Sequence, residues 1–225
     1  MKRYITTIVL LIIFTIIIIA VSRFYFSKNK TNDNAIPLQN NNANLNNQTS
    51  HDPLNSAILN IPLDKALSRI TKKPFGIYVS PGNSPVTPEK FTGYHTGTDF
   101  ETTPEEADIP VEIHAITDGK IINKLSISGY GGVILEKAVI NNQPVIILYG
   151  HVDIRAENSR INIGDTIKKG DSIAILSPGY SPQSGGERKH LHLGIIKGST
   201  VDYRGYAQNQ NELSRWIDAE SILGK

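Results

Sequence analysis

The chain of 225 residues contains no cysteine, a single tryptophan and a single methionine. Without cysteine there are no disulfides, thiolate metal sites, cysteine nucleophile or lipid-modified cysteine. The formal net charge is only +2, so the charge balance predicts neither a nucleic-acid partner nor a strongly acidic ligand. Any bound metal would need histidine, aspartate or glutamate ligands.

A long apolar run stands near the N-terminus. Tyr4 to Ser22 is a stretch of 19 residues without a charge, preceded by Lys2 and Arg3. A helix rising about 1.5 Å per residue would nearly match the ~30 Å hydrocarbon core of a bilayer. Small residues at Ala20 and Ser22 leave a cleaved signal peptide as an alternative, although the run exceeds the usual apolar length of such signals. We predict a membrane anchor or signal over residues 1–27.

A polar segment follows the apolar run. Eight asparagines lie between Thr31 and Ser50, and few apolar residues are present to offset the entropy of ordering the chain. We therefore expect a flexible linker over residues 28–58 and a globular domain over residues 59–225.

Signals for β-strands dominate the globular domain. Several short segments are rich in Ile, Val and Tyr and are bounded by Gly, Pro, Asn or Asp. They are Phe75–Val79, Pro110–Ile116, Lys120–Leu125, Gly132–Ile140, Gln143–Tyr149, Ser172–Leu176 and His190–Lys197. Asn141-Asn142 predicts a hairpin turn. Residues 61–70 suit a short helix or an edge segment, and the apolar spacing of Glu212–Leu223 predicts one C-terminal helix. The fold class is mainly β, with antiparallel sheets and little helix.

Two short segments supply possible metal ligands. His190 and His192 lie two apart in a predicted strand, so both project from one face while Leu191 and Leu193 enter the core. Two imidazoles so placed can share a cation, or one can bind it while the other acts on its bound water. His95 and Asp99 flank Gly97, which favours an extended or bent backbone over a helix.

Together these segments offer nitrogen and oxygen ligands of the kind that suits Zn²⁺. Catalytic zinc sites keep three protein ligands and one open position, where the pKa of water falls to about 7. A peptidase also needs groups that move protons and that stabilise the oxyanion. The set of histidines, including His151, is sufficient for such chemistry.

The region from Lys73 to Gly198 resembles the lysostaphin-like, or LytM-type, zinc endopeptidases, which cut peptide cross-links in peptidoglycan. The His-x-x-x-Asp segment, the isolated histidine in Leu-Tyr-Gly-His and the His-x-His segment stand in the family's order. The connecting scaffold agrees at Pro110-Val111, Asp118–Ile121, Gly129–Val133 and Asn162–Asp171.

The resemblance implies an antiparallel β domain of the lysostaphin/LytM (duplicated hybrid motif) type. It implies that His95, Asp99 and His192 bind Zn²⁺. His151 and His190 would be the catalytic pair, with His190 as the general base and His151 steadying the oxyanion or sharing the proton transfer. It also implies a monomer in the cell envelope that acts on peptidoglycan, with the domain outside the cytoplasm.

Some residues depart from the family pattern. The segment before His190 carries Glu187, Arg188 and Lys189, which predicts a more charged groove wall and makes Arg188 a candidate for substrate binding. No tyrosine for oxyanion support is evident upstream of His95, and Tyr94 is the nearest candidate. His114 lies on the polar face of a predicted strand, where it is either solvated or close to substrate. Three further carboxylates are expected in a solvated loop: Glu101, Glu105 and Glu106.

Two other functions use the same architecture. A non-catalytic envelope scaffold or activator of wall hydrolases would have lost the ligand set, which is intact here. A carrier domain of the sugar-phosphotransferase or biotinyl kind would be cytoplasmic, which disagrees with the predicted anchor.

Overall fold

The computed structural model describes residues 59–155 and 157–223. The predicted anchor at 1–27 and the predicted linker at 28–58 lie outside the described residues, which begin at Leu59. Within the described ranges, no helix is both long enough and apolar enough to cross a bilayer.

Short strands and a few 3₁₀ turns form the regular structure of the described residues. The strands are β1 (Tyr78–Val79), β2 (Gly93–His95), β3 (Gly97–Glu101), β4 (Glu112–His114), β5 (Gly119–Ile127), β6 (Gly131–Ile140), β7 (Gln143–Gly150), β8 (Thr166–Ile167), β9 (Ser172–Ile175), β10 (His190–Lys197), β11 (Tyr206–Ala207) and β12 (Trp216–Ile217). The 3₁₀ helices are Ala66–Arg69, Pro104–Glu106, Pro182–Ser184 and Gln210–Arg215. This confirms the predicted mainly β class.

The largest sheet is antiparallel and runs in the order β12-β10-β7-β6-β5-β8. Strand β3 pairs with the first half of β10, on the edge where β12 pairs with its second half. The turn between β6 and β7 contains Asn141 and Asn142 at φ 49° and 62°, the positive values that a two-residue type I′ turn requires. The predicted hairpin is confirmed.

Alternating side chains give this sheet two apolar faces. On one face Ile134, Tyr149 and Leu191 pack in a core that also contains residues of the small β4–β9 sheet. On the other face Val133, Leu135 and Trp216 belong to a smaller cluster. A third sheet, β1–β2–β11, carries His95 at the end of β2.

The predicted C-terminal helix over Glu212–Leu223 is wrong. The chain forms the 3₁₀ helix Gln210–Arg215, and β12 then pairs with β10. Trp216 packs in the smaller cluster and the adjacent Ile217 packs against the larger one. Adjacent side chains reach opposite faces in a strand, whereas in a helix they are only about 100° apart and fit within one apolar stripe. The segment 61–70 contains only the 3₁₀ turn Ala66–Arg69.

Candidate metal centre

Strand β10 places the His-x-His segment next to Asp99 and His151. His192 pairs with Asp99 on β3 and with Gly150 on β7, the residue before His151. Leu191 and Leu193 lie in the larger core, as the alternation predicts, so His190 and His192 project from the opposite face. The pairing of β10 with β3 and β7 therefore places four of the five polar site residues close together. They are Asp99, His151, His190 and His192, and the fifth is His95.

Three donor atoms form a nearly equilateral triangle. The Nε2 of His95 lies 3.0 Å from the Nδ1 of His192 and 3.2 Å from the Oδ1 of Asp99, and the latter two atoms are 3.1 Å apart. A tetrahedral Zn²⁺ with bonds of about 2.0–2.1 Å separates its ligands by about 3.3 Å. All three side chains are buried. This donor set therefore fits a zinc ion.

The second ring nitrogen of each candidate histidine ligand also has a partner. The Nδ1 of His95 lies 3.2 Å from the carbonyl oxygen of Pro74, which can only accept, so this nitrogen carries the proton. The Nε2 of His192 lies 3.2 Å from the hydroxyl of Tyr130, to which it donates when Nδ1 binds a metal. Such outer partners fix ring orientation and tautomer at metal sites.

Burial sets the charge state of the same groups. Burial lowers the pKa of His192 to about 4, and its hydrogen bond to Asp99 offsets this only in part. Burial alone would raise the pKa of Asp99, but the adjacent His95 and His190 imidazoles hold that pKa well below its usual range. A neutral imidazole and an ionised carboxylate are the forms that bind a metal.

His151 and His190 lie side by side, with ring centroids 4.3 Å apart. The Nδ1 of His190 donates to the carbonyl of Arg188 at 2.9 Å, and its Nε2 lies 3.2 Å from Asp99 Oδ2. The Nδ1 of His151 donates to the carbonyl of Ser184 at 2.9 Å. His151 has φ 61°, a value that non-glycine residues rarely adopt and that often marks a functional site. In both rings Nδ1 is thus committed to a backbone carbonyl and Nε2 is the remaining nitrogen, which in His190 faces Asp99.

A groove of about 320 Å³ opens over these residues. Its lining includes the polar site residues and four aromatic side chains, which are Phe91, Tyr130, Tyr203 and Tyr206. The rings of Phe91 and Tyr206 stack with centroids 5.3 Å apart. The groove therefore combines a flat apolar wall with the polar centre.

None of the three groove tyrosines was predicted as a site residue. The hydroxyl of Tyr206 accepts from the buried ammonium of Lys73 at 2.9 Å, and Lys73 also pairs with Glu89. An ammonium only donates, so the hydroxyl hydrogen of Tyr206 is free to point elsewhere. This hydroxyl donates no hydrogen bond to any of the described residues. Tyr130 lies in Gly129–Val133, which had been interpreted as scaffold, and nothing in the sequence marked Tyr206.

The other predicted residues have different surroundings. Tyr94 does not line the groove, because its ring packs edge-on against Tyr78 with centroids 5.1 Å apart. His114 also lies outside the groove, with its Nδ1 3.1 Å from the carbonyl of Gly170. Arg188 lines the groove and pairs with both Asp99 and Glu101. The expectation of a solvated Glu101 is wrong, since this residue is buried in β3.

The chain is similar to several solved structures. The structure is similar to that of LytU, with 25% identity, 69% of this chain and 90% of that chain covered, and a TM-score of 0.44. It is also similar to the catalytic domain of lysostaphin from Staphylococcus simulans, with 20% identity, 71% and 96% covered, and a TM-score of 0.47. No curated protein sequence matches the chain.

A family model described as "Peptidase family M23" matches residues 93–203. The match includes all five polar residues of the centre. It confirms the resemblance seen in the sequence. Residues 93–203 therefore form a domain of peptidase family M23.

Proposed function

We propose that the chain is a zinc-dependent endopeptidase that hydrolyses peptide cross-links or stem peptides of bacterial peptidoglycan. The observation that carries the metal dependence is the buried triangle of His95, Asp99 and His192 donor atoms, with sides of 3.0–3.2 Å. The family match supports the peptidase activity. The substrate class and a location in the cell envelope follow from the sequence resemblance.

His95, Asp99 and His192 would hold the ion through Nε2, Oδ1 and Nδ1. When bound, Zn²⁺ polarises the scissile carbonyl and lowers the pKa of a coordinated water to about 7. Tyr130 and the carbonyl of Pro74 keep the two imidazoles in the tautomers that this binding requires.

Proton transfer is assigned to His190 and His151. Each ring has its Nδ1 proton committed to a backbone carbonyl, so each accepts or releases a proton at Nε2. We assign His190 as the general base and His151 as the group that shares the proton transfer to the leaving amine or steadies the oxyanion. The free hydroxyl hydrogen of Tyr206 suits a donor to the oxyanion, since Lys73 already occupies an oxygen lone pair.

The test is digestion of purified muropeptides by the purified full-length chain, kept in detergent throughout and followed by mass spectrometry. We expect peptide bonds to be cleaved, cleavage to stop with a zinc chelator, and cleavage to return when Zn²⁺ is added. His95→Ala and His192→Ala should abolish cleavage. His114→Ala, which changes a histidine outside the groove, is the matched control and should cleave normally.

Two results would reject the proposal. Full activity of His192→Ala would remove the site assignment. A chain that binds zinc tightly but cleaves no muropeptide of any wall type would favour the non-catalytic envelope scaffold.

A further inference from the structure

The two carboxylate oxygens of Asp99 have different environments. Oδ1 contacts the metal-facing nitrogens of His95 and His192 at 3.2 and 3.1 Å. Oδ2 instead lies 2.8 Å from Nη2 of Arg188 and 3.2 Å from Nε2 of His190. One oxygen therefore belongs to the donor triangle, and the other is already hydrogen-bonded outside it.

Arg188 is held in place by a second carboxylate of the same strand. Its Nε lies 3.0 and 2.9 Å from the two oxygens of Glu101, and its Nη2 also contacts Glu101. Asp99 and Glu101 lie two apart on β3 and pair with His192 and His190 on β10, so the guanidinium spans one face of the β3–β10 pair. The side chains of Arg188 and Glu101 are only 11% and 10% exposed, which limits competition from water.

These contacts point to a role for Arg188 other than the predicted substrate binding. Nε and Nη2 are directed at Asp99 and Glu101 rather than at the groove. Paired, rigid hydrogen bonds of this kind orient a carboxylate more strictly than a flexible ammonium would. An aspartate with Oδ2 occupied has only Oδ1 left for a metal.

We propose that Arg188, locked by Glu101, is a positioning residue that restricts Asp99 to binding the metal through Oδ1 alone. The inference rests on the proposed zinc site and adds a residue to it that the ligand pattern does not contain. Because Arg188 also neutralises the buried Asp99 carboxylate, the donor triangle is held ready before the ion arrives.

Metal affinity and coordination separate this role from a purely electrostatic one. If Arg188 acted only through its charge, its removal would relieve repulsion of Zn²⁺ and tighten binding. If it positions Asp99, its removal weakens binding by about 10- to 100-fold, the usual cost of losing a partner of a metal ligand. The two roles therefore predict changes of opposite sign.

The experiment measures Zn²⁺ affinity of the full-length chain by competition with a chromophoric chelator, and the visible spectrum of the Co²⁺-loaded chain. For Arg188→Met we expect weaker Zn²⁺ binding, and weaker Co²⁺ absorption as Asp99 becomes bidentate and coordination rises above four. Arg188→Lys keeps the positive charge but lacks the paired N–H donors of the guanidinium. Its Zn²⁺ binding should remain weaker than that of wild type. Arg160→Met removes an exposed arginine paired with Glu112 and is the matched control, with no expected change.

Glu101→Gln is the alternative test variant if Arg188→Met does not fold. It retains Arg188 but loosens its anchor, so Zn²⁺ binding should weaken by a smaller factor. Unchanged or tighter binding, with an unchanged Co²⁺ spectrum, in whichever of these variants folds would overturn the inference while leaving the zinc peptidase proposal intact. A wild-type chain that binds no metal would overturn both.

Discussion

Gly97 lies directly against the imidazole of His192. A Cβ atom added at Gly97 would stand 2.5 Å from Nε2 of that ring and 2.8 Å from the carbonyl oxygen of Leu193. Real Cβ contacts are not this short, so any side chain at position 97 must displace the ring or separate β3 from β10. The glycine between His95 and Asp99 thus makes room for His192, the third proposed ligand.

We expect Gly97→Ala to weaken Zn²⁺ binding by at least about 10-fold, because the His192 ring leaves the donor triangle. Overpacking should also lower the free energy of unfolding by about 1–3 kcal/mol. Chelator competition and urea unfolding measure the two effects. Gly82→Ala is the matched control, since a Cβ there meets nothing within 4 Å. Wild-type zinc affinity in Gly97→Ala would contradict the crowding argument.

Tyr206→Phe should lower kcat by about 100-fold if its hydroxyl stabilises the oxyanion. Zinc affinity should be unchanged, because Tyr206 is outside the donor triangle. The measurement is steady-state cleavage of a purified muropeptide together with metal analysis. Tyr94→Phe removes a hydroxyl outside the groove and should leave kcat unchanged. A loss of kcat in Tyr94→Phe alone would contradict this expectation and favour Tyr94, the tyrosine predicted from the sequence, as the oxyanion donor.

Metal should stabilise the folded chain. With free Zn²⁺ at 100 times Kd, binding to the native state alone adds about 2.7 kcal/mol. For a domain of this size that raises the unfolding midpoint by roughly 5–10 °C. Calorimetry with added zinc, then with chelator, measures the shift. The shift should vanish in His95→Ala and persist in His114→Ala; equal shifts in both variants would place the bound zinc elsewhere.

Glu136 predicts a pH-dependent stability that is independent of the metal centre. This carboxyl belongs to a buried residue of β6, accepts a hydrogen bond from Tyr149 at 2.7 Å, and leaves Oε1 without a partner among the described residues. Burial raises its pKa to about 7, which the Tyr149 hydrogen bond offsets only in part. The folded chain therefore keeps a proton that the unfolded chain releases near pH 4.5.

The stability that the protonated Glu136 contributes is thus complete below about pH 4.5 and is lost as pH rises through about 7. The shift corresponds to about 3 kcal/mol in total. Glu136→Gln should remove this pH-dependent component. Between pH 5 and 8, the free energy of unfolding of the variant, measured by urea titration, should therefore rise relative to that of wild type. Glu112→Gln changes an exposed glutamate and should follow the wild-type pH profile. A constant difference between Glu136→Gln and wild type would show that Glu136 does not titrate in this range.

Local patterns in the sequence predicted the elements that depend on neighbouring residues. The alternation in His190–Lys197 predicted β10 with its two histidines on one face, because successive side chains in a strand point to opposite sides. Asn141-Asn142 predicted its hairpin because few residues adopt positive φ at low cost. The resemblance to the family rested on the order of the three histidine segments together with the connecting scaffold, and the ligand assignment that it implies remains a proposal.

Other features depend on contacts between residues distant in sequence. Trp216 and Ile217 fit a helical period as well as a strand, and only the free edge of β10 decides for the strand. In the sequence Arg188 was a candidate for substrate binding, and only the β3–β10 register brings Asp99 and Glu101 within hydrogen-bond distance of it. Tyr206 reaches His95 because β11 pairs with β2 more than 100 residues away. The sequence by itself determined the donor chemistry and the strand that carries it. The tertiary structure decided which groups support those donors, because buried charges and hydroxyls find partners only after the sheets assemble.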